Sequence, residues 1–272
     1  MGYVFDFKAA QRYDDWYQDP RNRFIAALEE QLILRLVKPV RGERVLDVGC
    51  GTGRHLLAFL KMGLDVTGVD ASPYMLDIAR KKLAHRAGLF QGFAEDLPFE
   101  DNSFDIATLI TTLEFVDDVE KAIQEACRVA SNRVFIGVLN RYAIKGIERR
   151  IKGIFSASLF NRAKFFGLWE LKRTVRQILG KVPIEWGTVL QLPASFRKYS
   201  RYLEEWTPIQ RCPFGGFIGM TVTLVPRFQT RNIAIGYVQK PGSAVTGLMG
   251  TPTQTVNKKE HHGSLSVQKI RR

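Results

Sequence analysis

The chain has 272 residues, 45% of them apolar, and a formal net charge of +13 at neutral pH. That is enough apolar chain to bury a full core, and no uninterrupted apolar run reaches the roughly 18 residues a membrane span needs. Its three cysteines, Cys50, Cys127 and Cys212, are odd in number and lack metal-ligand spacing, which excludes a disulfide framework and a zinc site. Residues 1–8 lack a basic stretch leading into an apolar run, so no secretory signal is expected and the expected setting is reduced and cytoplasmic. The charge is localised. Residues 141–181 carry 11 Lys/Arg against Glu148 and Glu170, and residues 240–272 carry six against Glu260, leaving the rest nearly neutral.

Residues 1–40 predict a helical cap. Tyr13, Asp14, Trp16 and Tyr17 come first, followed by an amphipathic run from about Arg23 to Val37 with Phe24, Leu28, Leu32 and Leu36 at helical spacing. Val45 to Val48 then reads as a strand that ends in glycines at 49, 51 and 53, and the apolar stretch Leu56 to Met62 reads as a helix. Glycine suits such a turn because it accepts positive φ and lets a ligand approach the backbone. The dinucleotide fingerprint Gly-x-Gly-x-x-Gly would require glycine at position 54, where Arg54 stands. Residues 64–70 form a second strand ending in Asp70, whose carboxylate could accept both hydroxyls of a ribose. Ser72-Pro73 opens a helix running to about Leu83, with serine as N-cap and proline in the first turn.

The pattern Asp-x-Gly-x-Gly-x-Gly over residues 47–53 resembles motif I of the class I S-adenosylmethionine (SAM)-dependent methyltransferases. Residues 92–99, Gly-Phe-Ala-Glu-Asp-Leu-Pro-Phe, and the strand Ile106 to Ile110 resemble the adenine loop and fourth strand of the type 11, ubiquinone/menaquinone-biosynthesis-like branch. The resemblance covers about residues 40–140. It implies an α/β Rossmann-like fold: a seven-stranded, mostly parallel sheet with an antiparallel C-terminal hairpin and helices on both faces. It also implies SAM as cofactor, leaving as S-adenosylhomocysteine (SAH). By the same resemblance Asp47, Gly49, Gly51 and Gly53 border its methionine part, Asp70 its ribose, and Met75, Ala94, Glu95 and Asp96 its adenine. Cys50, Ala71 and Thr111 are placed at the cofactor too. Tyr13, Trp16 or Tyr17 either borders the methionine end or simply packs. Phe93 departs from the pattern, because family members often carry aspartate there to meet the adenine amino group. His55 reads as an ordinary polar residue of a helix's first turn.

After the fourth strand, Glu114 is the ionisable group placed to act as a base or to bind substrate; the competing reading is an acid favoured by a helix N-terminus. No Asn/Asp-Pro-Pro-Tyr/Phe motif and no paired acidic metal site is present. A helix from Asp117 or Asp118 to Ala130 and a strand from Arg133 to Leu139 follow. In the insertion, Ile144, Ile147, Ile151, Ile154 and Phe155 share one helical face beside Lys145, Arg149 and Lys152. This segment fits contact with an anionic membrane, a lid over an apolar pocket, or a plain surface helix. Residues 165–180 predict a helix, residues 184–192 and 217–225 an antiparallel pair, residues 232–238 a further edge strand, and residues 241–272 a disordered tail. The expected organisation is a cap (1–40), a cofactor-binding core (41–143), a basic insertion (144–181), closing strands (182–240) and the tail (241–272). The expected function is methyl transfer to a small, apolar acceptor such as a quinone precursor or lipid. An RNA or protein acceptor, and a SAM-binding module without turnover, are the alternatives.

Overall fold

The computed structural model describes residues 2–143, 163–191 and 207–224. Two helices lead, α1 (Phe7–Gln18) and α2 (Pro20–Val37). Alternating elements follow: β1 (Arg44–Val48), α3 (Arg54–Lys61), β2 (Asp65–Asp70), α4 (Pro73–Leu83), β3 (Gly88–Gln91), β4 (Phe104–Ile110), α5 (Val119–Val129) and β5 (Ala130–Leu139). Beyond them lie α6 (Leu168–Leu179), β6 (Ile184–Val189), the short α7 (Thr207–Gln210) and β7 (Phe217–Thr223).

The seven strands form one sheet in the order β3-β2-β1-β4-β5-β7-β6. All pairs from β3 through β5 are parallel, whereas β7 runs antiparallel to both β5 and β6. The expected sheet and its antiparallel closing pair are therefore present. Strand order reverses at β1, whose Asp47 lies between Gly68 of β2 and Thr108 of β4. In open α/β sheets a crevice forms at that reversal, beyond the carboxyl ends of the strands.

Side chains alternate across the strands, so two cores form. Val45, Val66, Ile106, Phe135 and Phe217 face one side with Leu32 and Leu36 of α2, Leu56 and Phe59 of α3, and Leu76 of α4. Leu46, Val48, Leu109, Val134 and Ile136 face the other with Ile123 of α5 and Leu171 and Val175 of α6. Burial on both faces explains the near-continuous apolar character of β1, β4 and β5.

Local caps set the helix ends. Ser72 Oγ accepts from Met75 N–H, and Asp118 accepts from Lys121 N–H. Asp6 accepts from Ala9 N–H and starts α1, which buries Ala9, Ala10 and Trp16 on one face. The predicted second helix begins earlier than Arg23, at Pro20, since proline loses nothing at a first helical position. The amphipathic stretch 144–162, most of the connection 195–213, the strand expected at 232–238 and the tail 241–272 lie outside the described residues.

Candidate active site

The β1–α3 loop is built on three glycines with positive φ, and each has its own reason. At Gly49 (φ +73°) a Cβ would lie 2.5 Å from both γ atoms of Thr112, because the loop passes directly over the end of β4. At Gly51 (φ +52°) a Cβ would meet nothing closer than Met75 Sδ and Tyr13 Cε1, both at 3.9 Å, so a side chain there would fill an open cradle. Gly53 starts α3 without a side-chain cap and packs close to Leu83 and Ala79 of α4. Gly49 N–H and Cys50 N–H both donate to Val69 O, at 2.7 and 3.0 Å, which pins the loop to the end of β2.

Asp70 stands at that strand end. Its Oδ2 accepts from Gly51 N–H and its Oδ1 from Ser72 N–H, each at 2.8 Å. Burial raises its pKa and these two amide bonds act against the rise. Each oxygen keeps a second lone-pair direction for a ligand hydroxyl.

The loop and Asp70 form one side of a cleft of about 680 Å3, counted with its open mouth. Ala71, Met75, Ala94, Glu95 and Thr111, which the family resemblance places at the cofactor, line it together with Gly92 and Phe93. Thr111 holds φ +53°, which is unusual for a β-branched residue, and its N–H donates to Gly137 O at 2.8 Å. Asp47, Cys50, Gly53 and Asp96 do not line the cleft. Asp47 instead accepts from Thr108 Oγ1 at 2.6 Å inside the sheet, and burial pushes its carboxyl up to about 7, with Asp70 adding to the rise. Cys50 is buried beneath the loop, where a Cβ on Gly68 would come within 2.7 Å of its Sγ.

The opposite wall comes from the N-terminus, which sequence reasoning assigned only in part. Tyr13 reaches the cleft, whereas Trp16 is buried and Tyr17 packs under the Arg54 guanidinium, 4.7 Å from its ring centroid. Gly2, Tyr3 and Phe5, absent from the expectations, line it as well. Tyr3 N–H donates to Phe115 O at 2.9 Å and Ser72 Oγ donates to Phe5 O at 2.6 Å, so the segment straps across the cleft between two anchors. Phe5 packs edge-on to Tyr3 and Phe115, with ring centroids 5.1 and 5.2 Å apart. The pair Tyr3-x-Phe5 ahead of the Asp6 cap was the available signal. Lys82 links this wall to the loop by its ion pair with Asp14 of α1 and a 3.1 Å bond to Thr52.

Glu114 does not line this cleft. It is buried, its Oε1 accepts from Leu139 N–H at 2.7 Å, and it borders an adjoining cavity with Asp117 and Lys164. Gly2, Tyr3, Phe115 and Val116 belong to both spaces. Glu114 is not the acid of a helix N-terminus either, since α5 begins at Val119 under the Asp118 cap. His55 is buried in the first turn of α3, and burial, with Arg54 beside it, lowers its pKa to about 3. Among the described residues no cluster of metal-ligating side chains occurs.

A sequence model of a methyltransferase domain, of type 11, matches residues 46–136. An uncharacterized protein of Methanocaldococcus jannaschii is 36% identical over 146 residues, 53% of this chain and 64% of that protein. A demethylmenaquinone methyltransferase of Clavibacter sepedonicus is 37% identical over 117 residues, 41% of this chain and 48% of that one. This chain therefore spans less than two thirds of either curated relative. The crystal structure of a SAM-dependent methyltransferase from Thermotoga maritima superposes with a TM-score of 0.59 at 26% identity, covering 78% of this chain and 94% of that one. The glycine loop, the strand-end carboxylate and the sheet order together define a class I, Rossmann-like methyltransferase core. Within that core, residues 46–136 are the stretch that matches the type 11 methyltransferase-domain model.

Proposed function

We propose that this chain transfers a methyl group from SAM to a small, predominantly apolar acceptor. The observation that carries the reading is a single cleft with the open cradle at Gly51 and the Asp70 carboxylate on one side and aromatic rings on the other. When bound, the cofactor supplies an electrophilic methyl on a sulfonium.

Every other task falls to the chain. Gly51 leaves room for the methionine part, Asp70 accepts the ribose hydroxyls through its remaining lone pairs, and the segment Gly92–Glu95 borders the base. Tyr3, Phe5, Tyr13 and Phe115 exclude water and fix the direction of approach, which is the main work of an in-line displacement. The acceptor enters from the adjoining cavity, across the shared wall of Tyr3, Phe115 and Val116. Glu114 and Asp117 are the carboxylates lining that cavity, and a proton released by the acceptor is taken up there. An apolar acceptor drawn from an anionic bilayer accounts for the positive charge concentrated in residues 141–181.

The test has two stages. Calorimetry with SAH should show binding to the parent protein and at least about 100-fold weaker binding to Asp70→Ala, which loses hydrogen bonds to a charged acceptor. Labelled methyl from SAM, incubated with a fractionated cell extract, should then appear in the organic phase. Equal SAH binding by Asp70→Ala sinks the cofactor placement, and label confined to RNA or protein sinks the apolar acceptor.

A further inference from the structure

The base-proximal part of the cleft is short of hydrogen-bonding side chains. Along Ala71, Gly92, Phe93, Ala94 and Glu95, only Glu95 carries a polar side-chain group. Its Oε1 accepts from Asp117 N–H at 2.9 Å and from Asp118 N–H at 3.4 Å, which turns that carboxylate towards the start of α5. Asp96 stays out of the cleft, and its N–H closes a tight turn onto Phe93 O at 3.2 Å. Gly92 N–H donates to Asp70 O at 3.1 Å, so this turn is fixed directly beside the strand-end carboxylate. Phe93 lines the cleft, and 37% of the residue is exposed. An exposed phenyl beside a cleft gains by being covered, and a flat heteroaromatic ring covers it best.

We infer that Phe93 is the specificity-determining residue at the base end, contacting the purine through its ring where no side-chain carboxylate meets the exocyclic amine. The inference rests on the cofactor assignment above. Its consequence is a loss of selectivity. A site that hydrogen-bonds a polar group of its ligand rejects an analogue lacking it, whereas an apolar site discriminates weakly. This protein should therefore bind the 6-deamino analogue of SAH, with purine in place of adenine, nearly as well as SAH itself.

The experiment is calorimetric titration of the full chain with both ligands, for the parent, Phe93→Asp and Phe93→Ala. The parent is expected to bind the two within about 3-fold of each other. Phe93→Asp should gain a preference for SAH of at least about 10-fold, the effect of a hydrogen bond to a charged group. Phe93→Ala should weaken both ligands alike by about 10-fold through lost ring contact. Phe93 is partly exposed, so these variants should melt as the parent does. Tight SAH binding by the parent with more than about 10-fold rejection of the deamino analogue overturns the inference and leaves the cofactor assignment intact. Failure of SAH to bind overturns both.

Discussion

Replacing Asp47 by asparagine tests the electrostatics beneath the glycine loop. Asp47 is 1% exposed, and burial raises its carboxyl from 3.8 to about 7. A folded-state pKa above the unfolded one means that the native state holds the proton more tightly. Its stabilising contribution is therefore complete at low pH and declines as pH rises from about 4 to about 7. Roughly three pH units at 1.36 kcal/mol each set an upper figure of about 4 kcal/mol. His55 works in the opposite direction: burial lowers it to about 3, so its contribution is present above 6.5 and lost as pH falls towards 3. Between pH 4 and 6.5 the two slopes oppose each other, and the parent should look nearly flat. The amide introduced by Asp47→Asn would still accept from Thr108 Oγ–H but could not ionise. In urea unfolding at pH 4.5, 6 and 7.5, the variant's stability relative to the parent should climb by up to about 3 kcal/mol across the series. A buried amide N–H2 without a partner adds a cost of about 1–3 kcal/mol that does not vary with pH. A difference between the two proteins that stays constant from pH 4.5 to 7.5 would refute the reasoning.

Gly49→Ala and Gly51→Ala should fail in different ways. A Cβ 2.5 Å from Thr112 should cost about 2–4 kcal/mol of stability in a denaturant melt. At Gly51 the methyl has room and costs about 1–2 kcal/mol through its backbone conformation, while SAH binding weakens by at least about 10-fold in calorimetry. Thr111→Asn should raise stability by about 1 kcal/mol, a Tm gain of about 2–4 °C, because asparagine tolerates the left-handed conformation that threonine holds at φ +53°. Lys82→Met should lose about 2–3 kcal/mol by stranding the largely buried Asp14 carboxylate, and Asp14→Asn on that background should recover part of it.

What could be read ahead of the structure was local in the chain. Val45 to Gly53, Asp70 with its Ser72-Pro73 helix start, and the turn at residues 92–96 each declare themselves within a few residues, because strand, glycine turn and cap have short-range causes. What could not be read was set by pairings distant in sequence. Tyr3 and Phe5 reach the cleft only because Phe115 O and Ser72 Oγ anchor them from far along the chain. The motif resemblance set Asp47 beside the cofactor's methionine part, but its hydrogen-bond partner is Thr108 on the neighbouring strand, 61 residues away. Glu114 carried the right chemistry and the right strand end, yet its bond to Leu139 N–H turns it to the adjoining cavity. Registers between strands decide such matters, and no window of sequence contains them.

Arg54 gives the loop an attachment as well as a shape. Its guanidinium donates to Ala26 O at 3.1 Å, pairs with Glu30 at 3.3 Å and lies over the Tyr17 ring, so it joins both leading helices to the start of α3. It also occupies the one position where a dinucleotide-binding loop needs glycine. Replacing Arg54 by glycine would therefore cut one of the ties between the leading helices and the loop, leaving the link through Lys82 to Asp14 and Thr52. The same residue that marks the difference between the two loops also ties this one to the leading helices.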